Sequence, residues 1–334
     1  MVMVMDNQLV DGFGRHVEYL RMSVTDRCDL KCAYCMPSGG SGHAAPCDIM
    51  TFRDFLRLAR IFAGLGVKKI RLTGGEPLLR KGIVTFIRQV KEIPGIGQIA
   101  LTTNGMNLSS MAREIREAGV SKINISLDTL NREKFIAITG RDGLNKALEG
   151  IGAAMEAGFD SVKINMVVMK GINDDEIEEF ARMPLTSPAQ VRFIEFMPAS
   201  RSVWSEDKFV SASAVKERIM KMGGITACGK SMWGGPAEIY KFHGALGELG
   251  FISAVSHHFC GDCNRLRLTS SGKLMTCLFG GEDADLHKLI TSGADDGAIA
   301  SAITNAVKNK NAVRALPEKD EDFAKRPAMT QVGG

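Results

Sequence analysis

The sequence predicts an α/β protein: a partial, open (β/α)6 TIM-like barrel over residues 1–200, followed by a small C-terminal α+β extension over residues 201–334. Three observations carry this. Short β-branched runs alternate with amphipathic stretches about every 30 to 40 residues, the rhythm of parallel strands joined by right-handed helical crossovers. Six such runs precede residue 200, too few to close an eight-stranded barrel but enough for a curved, open one. Past "MPASRSVWSEDKF" the alternation stops, and one helical stretch and glycine-turned short strands take over.

"EYLRMSV" is the first strand and leads into a cysteine-rich loop. "TFRDFLRLARIFAGLG" follows with apolar residues at i, i+3, i+4 and i+7, and Thr51 marks its start. The strands "KKIRLTG" and "QIALTTNG" come next, then the helix "SSMAREIREAG", opened by Ser109. "KINISLD", the helix "GLNKALEGIGAAMEAGF", "SVKINMVVMK", the helix "DDEIEEFARM" opened by Asn173, and "VRFIEFMP" complete the barrel. Ligands of parallel α/β folds gather at the carboxyl ends of the strands, so the polar residues ending these runs are the ones to inspect. In the extension, "ASAVKERIMKMG" reads as a helix, "TSSGKL" as a hairpin turn and residues 284–310 as a polar helix, whereas "RALPEKDEDFAKRPAMTQVGG" shows no periodicity.

Hydrophobic residues make up 45% and charged residues 24%, an ordinary globular balance. With 42 Lys+Arg against 38 Asp+Glu the net charge is +4, too mild for non-specific nucleic-acid binding, so any anion site is local. No apolar run approaches the roughly 20 residues of a membrane span, and "MVMVMDNQLV" lacks a signal peptide's basic start and apolar run. A cytoplasmic protein without membrane or nucleic-acid partners is therefore expected. In a reducing compartment eight cysteines argue for metal or catalysis. Six fall in two triplets; Cys47 and Cys228 stand alone and read as plain thiols.

The first triplet, Cys28, Cys32 and Cys35 in "CDLKCAYC", has no fourth cysteine near. It is either half of a zinc ribbon or the three-cysteine cradle of an iron–sulfur cubane with one iron open. The stretch resembles the CxxxCxxC motif of radical S-adenosylmethionine enzymes, including the aromatic Tyr34, and Gly74, Gly75 and Glu76 in "RLTGGEPLLR" match that superfamily's GGEP element. The resemblance implies a [4Fe–4S] cluster whose open iron is chelated by S-adenosylmethionine, and reductive cleavage to a 5′-deoxyadenosyl radical. Tyr34, Gly75, Ser126 in "NISLD" and Met197 in "EFMP" become the implied S-adenosylmethionine contacts. Glycines suit that site because a residue without Cβ lets backbone approach a ligand closely.

The second triplet, Cys260, Cys263 and Cys277, also lacks a fourth cysteine, and His257 or His258 would complete a zinc knuckle. Its surroundings, "FISAVSHHFCGDCNRLRLTSSGKLMTCLFG", closely resemble the C-terminal cluster region of the GTP 3′,8-cyclase family of molybdenum cofactor biosynthesis. "GPAEIYKF", "RFIEFMP" and the terminal Gly333 and Gly334 fit the same family over nearly the whole chain. The implied extension is cluster-binding: a second [4Fe–4S] cluster whose open iron takes the guanine of GTP. The implied reaction is hydrogen abstraction from C3′ of GTP and attack of C3′ on C8, giving 3′,8-cyclo-7,8-dihydro-GTP.

GTP carries about four negative charges, which a chain this close to neutral must meet with locally concentrated cations. Arg21, Lys69, Arg71, Lys163 and Arg192 lie inside otherwise apolar strands, and Arg265 and Arg267 share one face of a strand. With Thr102 they are the GTP contacts the resemblance implies. It also implies that the Gly-Gly tail enters the active site. The implied partners are an external electron donor, a downstream cyclic pyranopterin monophosphate synthase and a second copy of the chain.

Two rivals make different predictions. Another radical enzyme with an auxiliary cluster has no need of inward cations, and a zinc-stabilised binding protein puts zinc in both triplets. One departure from the family is the glycine-rich loop over residues 38–49, where relatives carry a more acidic segment. Three cysteines already fill the first site, so Cys47 is not expected to be a ligand.

Overall fold

The computed structural model describes residues 8–35, 49–198, 204–229, 235–313 and 329–333. All six barrel strands form where the runs placed them: β1 (Tyr19–Ser23), β2 (Lys69–Thr73), β3 (Gln98–Thr103), β4 (Val120–Ser126), β5 (Ser161–Val168) and β6 (Gln190–Glu195). They pair in parallel in chain order. Six helices cover their outer face: α1 (Phe52–Gly64), α2 (Ile83–Lys91), α3 (Leu108–Ala118), α4 (Arg132–Thr139), α5 (Leu144–Glu156) and α6 (Ile177–Thr186). α2 and α4 were not among the periodic stretches. α4 owes its place to tertiary packing: only Phe135, Ile138 and Thr139 of its eight residues are buried.

Thr51 caps α1 as expected, in a reciprocal capping box with Asp54 worth about 1 kcal/mol. Ser109 does not start α3, whose N-cap is Asn107. Asn173 heads only a single 3-10 turn and makes no side-chain cap there, because the Oδ1 a cap needs already accepts from Met169 N at 2.8 Å, while Nδ2 donates to Asp128 O and Val167 O.

The later part of the chain contributes β7 (Ile225–Cys228), β8 (Glu238–Phe242), β9 (Glu248–Ile252), β10 (Arg265–Leu268), β11 (Lys273–Met275) and β12 (Ala284–Asp285), with helices α7 (Ala212–Met220), α8 (Leu286–Thr291), α9 (Asp296–Lys308) and α10 (Met329–Val332). The helix expected over 284–310 is thus two, divided around Gly293, whose φ of 81° a helix interior does not tolerate. These strands join the barrel sheet: β10 pairs parallel to β1 at one edge, and β9 pairs parallel to β6 at the other. The described strands make one 12-stranded open sheet, ordered β12-β11-β10-β1-β2-β3-β4-β5-β6-β9-β8-β7. The "TSSGKL" turn joins β10 to β11 through Gly272 at φ 81°.

Strand alternation divides the sheet's two faces. Leu20, Met22, Ile70, Leu72, Leu101, Ile123, Ile125, Ile164, Val191 and Phe193 are buried in one core with Phe55, Phe62, Phe86 and Phe180 of the helices. The opposite parity faces the lumen, and there most side chains are polar, Ala100, Val167 and Ile194 excepted. Behind β6, buried Glu195 accepts from Ala212 N at the start of α7 and from Val255 N and Ser256 N, fastening the extension to the barrel.

Candidate active site

The loop after β1 carries the first triplet and is closed by the GGEP turn after β2. Gly75 N donates to Thr25 O at 2.8 Å and Glu76 N to Arg27 O at 2.7 Å. A Cβ on Gly74 would come within 2.5 Å of Thr25 O, and one on Gly75 within 2.3 Å of Arg27 O. These glycines therefore make room for the approach of a second protein loop, while Gly75 also lines the cavity beside the cysteines. Glu76, fully buried, accepts from Leu78 N at 2.9 Å, Thr103 Oγ1 at 2.9 Å and Asn104 N at 2.7 Å. Burial lifts its carboxyl to about 7 despite these donors.

At the carboxyl ends of the strands a cavity of about 210 Å³ is lined by Cys28, Cys32 and Cys35 and by all four residues singled out with them, Tyr34, Gly75, Ser126 and Met197. Asp128 and Asn165 also line it, and no motif pointed to them. Asp128 accepts from the Tyr34 hydroxyl and from Val167 N at 2.9 Å, fixing the aromatic ring beside the cysteines. Burial, with repulsion from neighbouring anionic groups, pushes the Cys28 thiol to about 11 and Cys35 to about 12, and Cys32 well up too. Thiolates persist in such a place only with a metal to neutralise them. This donor set, three thiols facing one cavity with no fourth cysteine and no histidine among the described residues that line it, fits a cluster with an open corner.

Inside the barrel the register lines up the predicted cations. Arg265, Tyr19 and Lys69 are neighbours across β10, β1 and β2, and one step along stand Arg267, Arg21 and Arg71. Lys163 of β5 pairs with Asn124 and Gln190, while Arg192 of β6 pairs with Asn165 and Gly250. Arg71 Nε donates to the Tyr19 hydroxyl at 2.5 Å, and its Nη1 reaches Leu101 O at 3.2 Å and Thr102 Oγ1 at 3.3 Å. Burial and then the surrounding cations push Lys163 down to about 6. Burial, partly offset by Tyr19, brings Lys69 to about 8. Burial opposes ionisation of Tyr19, but Arg71, Arg21 and Lys69 outweigh it and lower the phenol to about 7. Acceptors facing the same lumen, Thr73 Oγ1, Gln98 Oε1, Asn124 Oδ1 and Asn165 Oδ1, are buried without a hydrogen-bond partner. Buried polar atoms of this kind mark a site shaped for something else to fill.

Tyr19 and Lys122 were not singled out from sequence. Both lie two residues from residues of this wall, Arg21 and Asn124, so extending the i, i+2 rule along each strand finds them. Gly250 was also missed: a Cβ there would lie 2.9 Å from Arg192 Cγ, so its absence lets the arginine lie across β9.

The second triplet stands at the opposite mouth, beside the amino ends of β1 and β10, where the carboxyl-end rule did not point. A cavity of about 470 Å³ there is lined by Tyr19, Gly235, Pro236, Ala237, His257, His258, Cys263 and Arg265, among others, bringing "GPAEIY" to the "FCGDC" turn. Cys263 N closes that turn on Cys260 O at 3.1 Å. Burial opposes ionisation of Cys263, but Arg265 and Lys310 bring its thiol down to about 7. Among the described residues no three His, Cys, Asp or Glu side chains gather around a point for a single ion; a cubane, being broader, takes donors set further apart.

Of the two tail glycines Gly333 is among the described residues, and it lies against lumen residues. Gly333 O accepts from Arg267 Nη1 at 2.6 Å, and Gly333 packs so closely on Thr73 Oγ1 that a Cβ would overlap it. Gly334, Cys47 and residues 36–48 lie outside the described residues.

A family model for the radical SAM superfamily matches residues 22–183, and one described as Molybdenum Cofactor Synthesis C matches residues 189–315. The GTP 3′,8-cyclase of Geobacter sulfurreducens is 48% identical over 330 residues, 98% of this chain and 100% of that one. The chain belongs to the GTP 3′,8-cyclase family. A second member, from Thermodesulfovibrio yellowstonii, is 45% identical over 327 residues, 97% of this chain and 99% of its own. Molybdenum cofactor biosynthesis protein 1 of Bos taurus is 41% identical over 96% of this chain and 51% of its own. Among solved structures, Streptococcus suis SuiB bound to its precursor peptide SuiA shares the fold, with TM-score 0.57 at 16% identity over 85% of this chain and 66% of that one. Membership of the GTP 3′,8-cyclase family brings a [4Fe–4S] cluster and S-adenosylmethionine as cofactors. No helix among the described residues is long and apolar enough to cross a membrane.

Proposed function

We propose that this chain converts GTP to (8S)-3′,8-cyclo-7,8-dihydroguanosine 5′-triphosphate, the first step of molybdenum cofactor biosynthesis. The observation that carries the reading is a cation-lined barrel wall between two cavities, the first lined by Cys28, Cys32 and Cys35 and the second by Cys263 of the other triplet. Tyr19 lines the second cavity and Thr73, paired with Ser23, lines the first, so four strand residues, about 13 Å, separate them. When bound, the first cluster and S-adenosylmethionine supply the radical chemistry that takes hydrogen from C3′ of GTP before C3′ joins C8. Cys28, Cys32 and Cys35 hold that cluster, and Tyr34, Gly75, Ser126 and Met197 surround the cofactor. Cys260, Cys263 and Cys277 would hold a second cluster, which would supply a binding position for the guanine of GTP. Arg21, Lys69, Arg71, Lys163, Arg192, Arg265 and Arg267, with Thr102, hold the triphosphate and ribose. Gly333, anchored by Arg267, brings the tail into the lumen. An external one-electron donor, a cyclic pyranopterin monophosphate synthase downstream, a second copy of the chain and a reducing cytoplasm complete the setting.

The test is anaerobic reconstitution with iron, sulfide and zinc measured per chain, in the parent and in Cys260→Ser. About eight irons falling to about four in the variant is the expected result, followed by GTP turnover with S-adenosylmethionine and dithionite. Four irons and one zinc in the parent would refute the guanine-on-iron reading.

A further inference from the structure

Lys310 lies two residues beyond the end of α9 and is 3% exposed. Its ammonium donates to Arg265 O at 3.0 Å, to Thr276 O, and to Cys263 Sγ at 3.8 Å. Three donors thus meet three acceptors, the full capacity of an ammonium group. The two carbonyls belong to opposite arms of the second triplet: Arg265 follows Cys263 by two residues, and Thr276 precedes Cys277.

Arg15, the other cation fastening this segment, donates to Cys260 O and to Asn311 O and Ala312 O, and has its own carboxylate in Asp11 at 2.5 Å. Among the described residues Lys310 has no such carboxylate: the charged groups that act most on it are the thiols of Cys263 and Cys277 and the cations Arg15 and Arg265. A buried ammonium is costly unless an anion faces it, and here the anions on offer are the triplet's own sulfurs.

We propose that Lys310 is a positioning residue of the second cluster, tying the two arms of the triplet together and setting a fixed positive charge against the Cys263 sulfur. The proposal rests on the reading that this triplet holds a cluster. A buried cation beside a ligating sulfur favours the reduced, more negative cluster and so raises its reduction potential. Among the described residues the first triplet has no counterpart: Cys28 Sγ receives Leu30 N at 3.4 Å and the neutral Asn104 amide at 3.8 Å. The lysine therefore acts on one cluster alone.

The test uses the reconstituted full chain. Mediated potentiometric titration with dithionite is followed by electron paramagnetic resonance, the second cluster being the signal missing from Cys260→Ser. In Lys310→Met the second midpoint is expected to move to more negative potential while the first stays put, and Lys310→Arg, which keeps the charge, is expected to remain near the parent. A Lys310→Met protein that retains the first cluster but loses iron from the second, with Lys310→Arg retaining both, also supports the proposal through the fastening it describes. An unchanged second midpoint in Lys310→Met, or equal shifts in both variants, overturns it. A parent with zinc in the second triplet overturns the reading beneath it, and is seen before any lysine variant is made.

Discussion

Gly75→Ala places a methyl group where the structure has no room. The new Cβ would sit 2.3 Å from Arg27 O, 2.5 Å from Arg27 C and 2.8 Å from Asp26 O, all backbone. Reaching ordinary van der Waals separation requires the 25–27 segment and the GGEP turn to part by roughly 1 Å. That weakens two hydrogen bonds, Gly75 N to Thr25 O and Glu76 N to Arg27 O. Overpacking costs about 1–3 kcal/mol and each of the two bonds about 0.5–1.5 kcal/mol, so the loss is about 2–6 kcal/mol. At roughly 2 °C per kcal/mol for a chain of this size, Tm falls by roughly 4–12 °C. Cys28 follows Arg27 directly, so the damage falls on the first triplet. Iron at that site and S-adenosylmethionine cleavage are expected to drop, with the second triplet's iron retained. Calorimetry with per-site iron analysis against Cys260→Ser checks this. A Gly75→Ala protein with unchanged Tm and full first-site iron would sink the argument that these glycines exist for loop closure.

Lys163 bears on stability and binding in opposite senses. Its native value of about 6 lies below the roughly 10.4 of the unfolded chain, so between those limits the unfolded state binds the extra proton and substrate-free stability rises with pH. Lys163→Met is expected to flatten that slope in thermal melts and to weaken GTP binding by calorimetry; an unaltered slope contradicts the assignment. Glu195→Gln keeps the shape but turns an NH2 toward backbone donors. It should cost about 2–4 kcal/mol in denaturant unfolding, and a loss under about 0.5 kcal/mol would show the fastening to be dispensable. Cys47→Ser is expected to leave the iron content unchanged, and a loss of iron would make Cys47 a ligand after all.

The alternation of β-branched runs with amphipathic stretches was enough to place six strands, because parallel strands covered by helices need that pattern simply to be buried. The cysteine spacings and the GGEP element were equally local, and so were legible. What lay outside the sequence was which distant segments share a wall. That β10 lies against β1 and β9 against β6 is a matter of long-range pairing. Only that pairing sets Arg265 and Arg267 in line with Tyr19, Arg21, Lys69 and Arg71, and puts the second triplet at the mouth opposite the first. The glycines show the same division. Their need for missing side chains could be read from the sequence, but what they make room for could not, since that depends on which backbone arrives from elsewhere. Lys310 shows it most plainly: an unremarked lysine near the end of the described chain, it acquires a role only because folding brings it to two carbonyls and a sulfur 34 to 47 residues away. Local sequence sets what each segment is able to form, and burial of charge and backbone in the assembled sheet decides what each side chain is for.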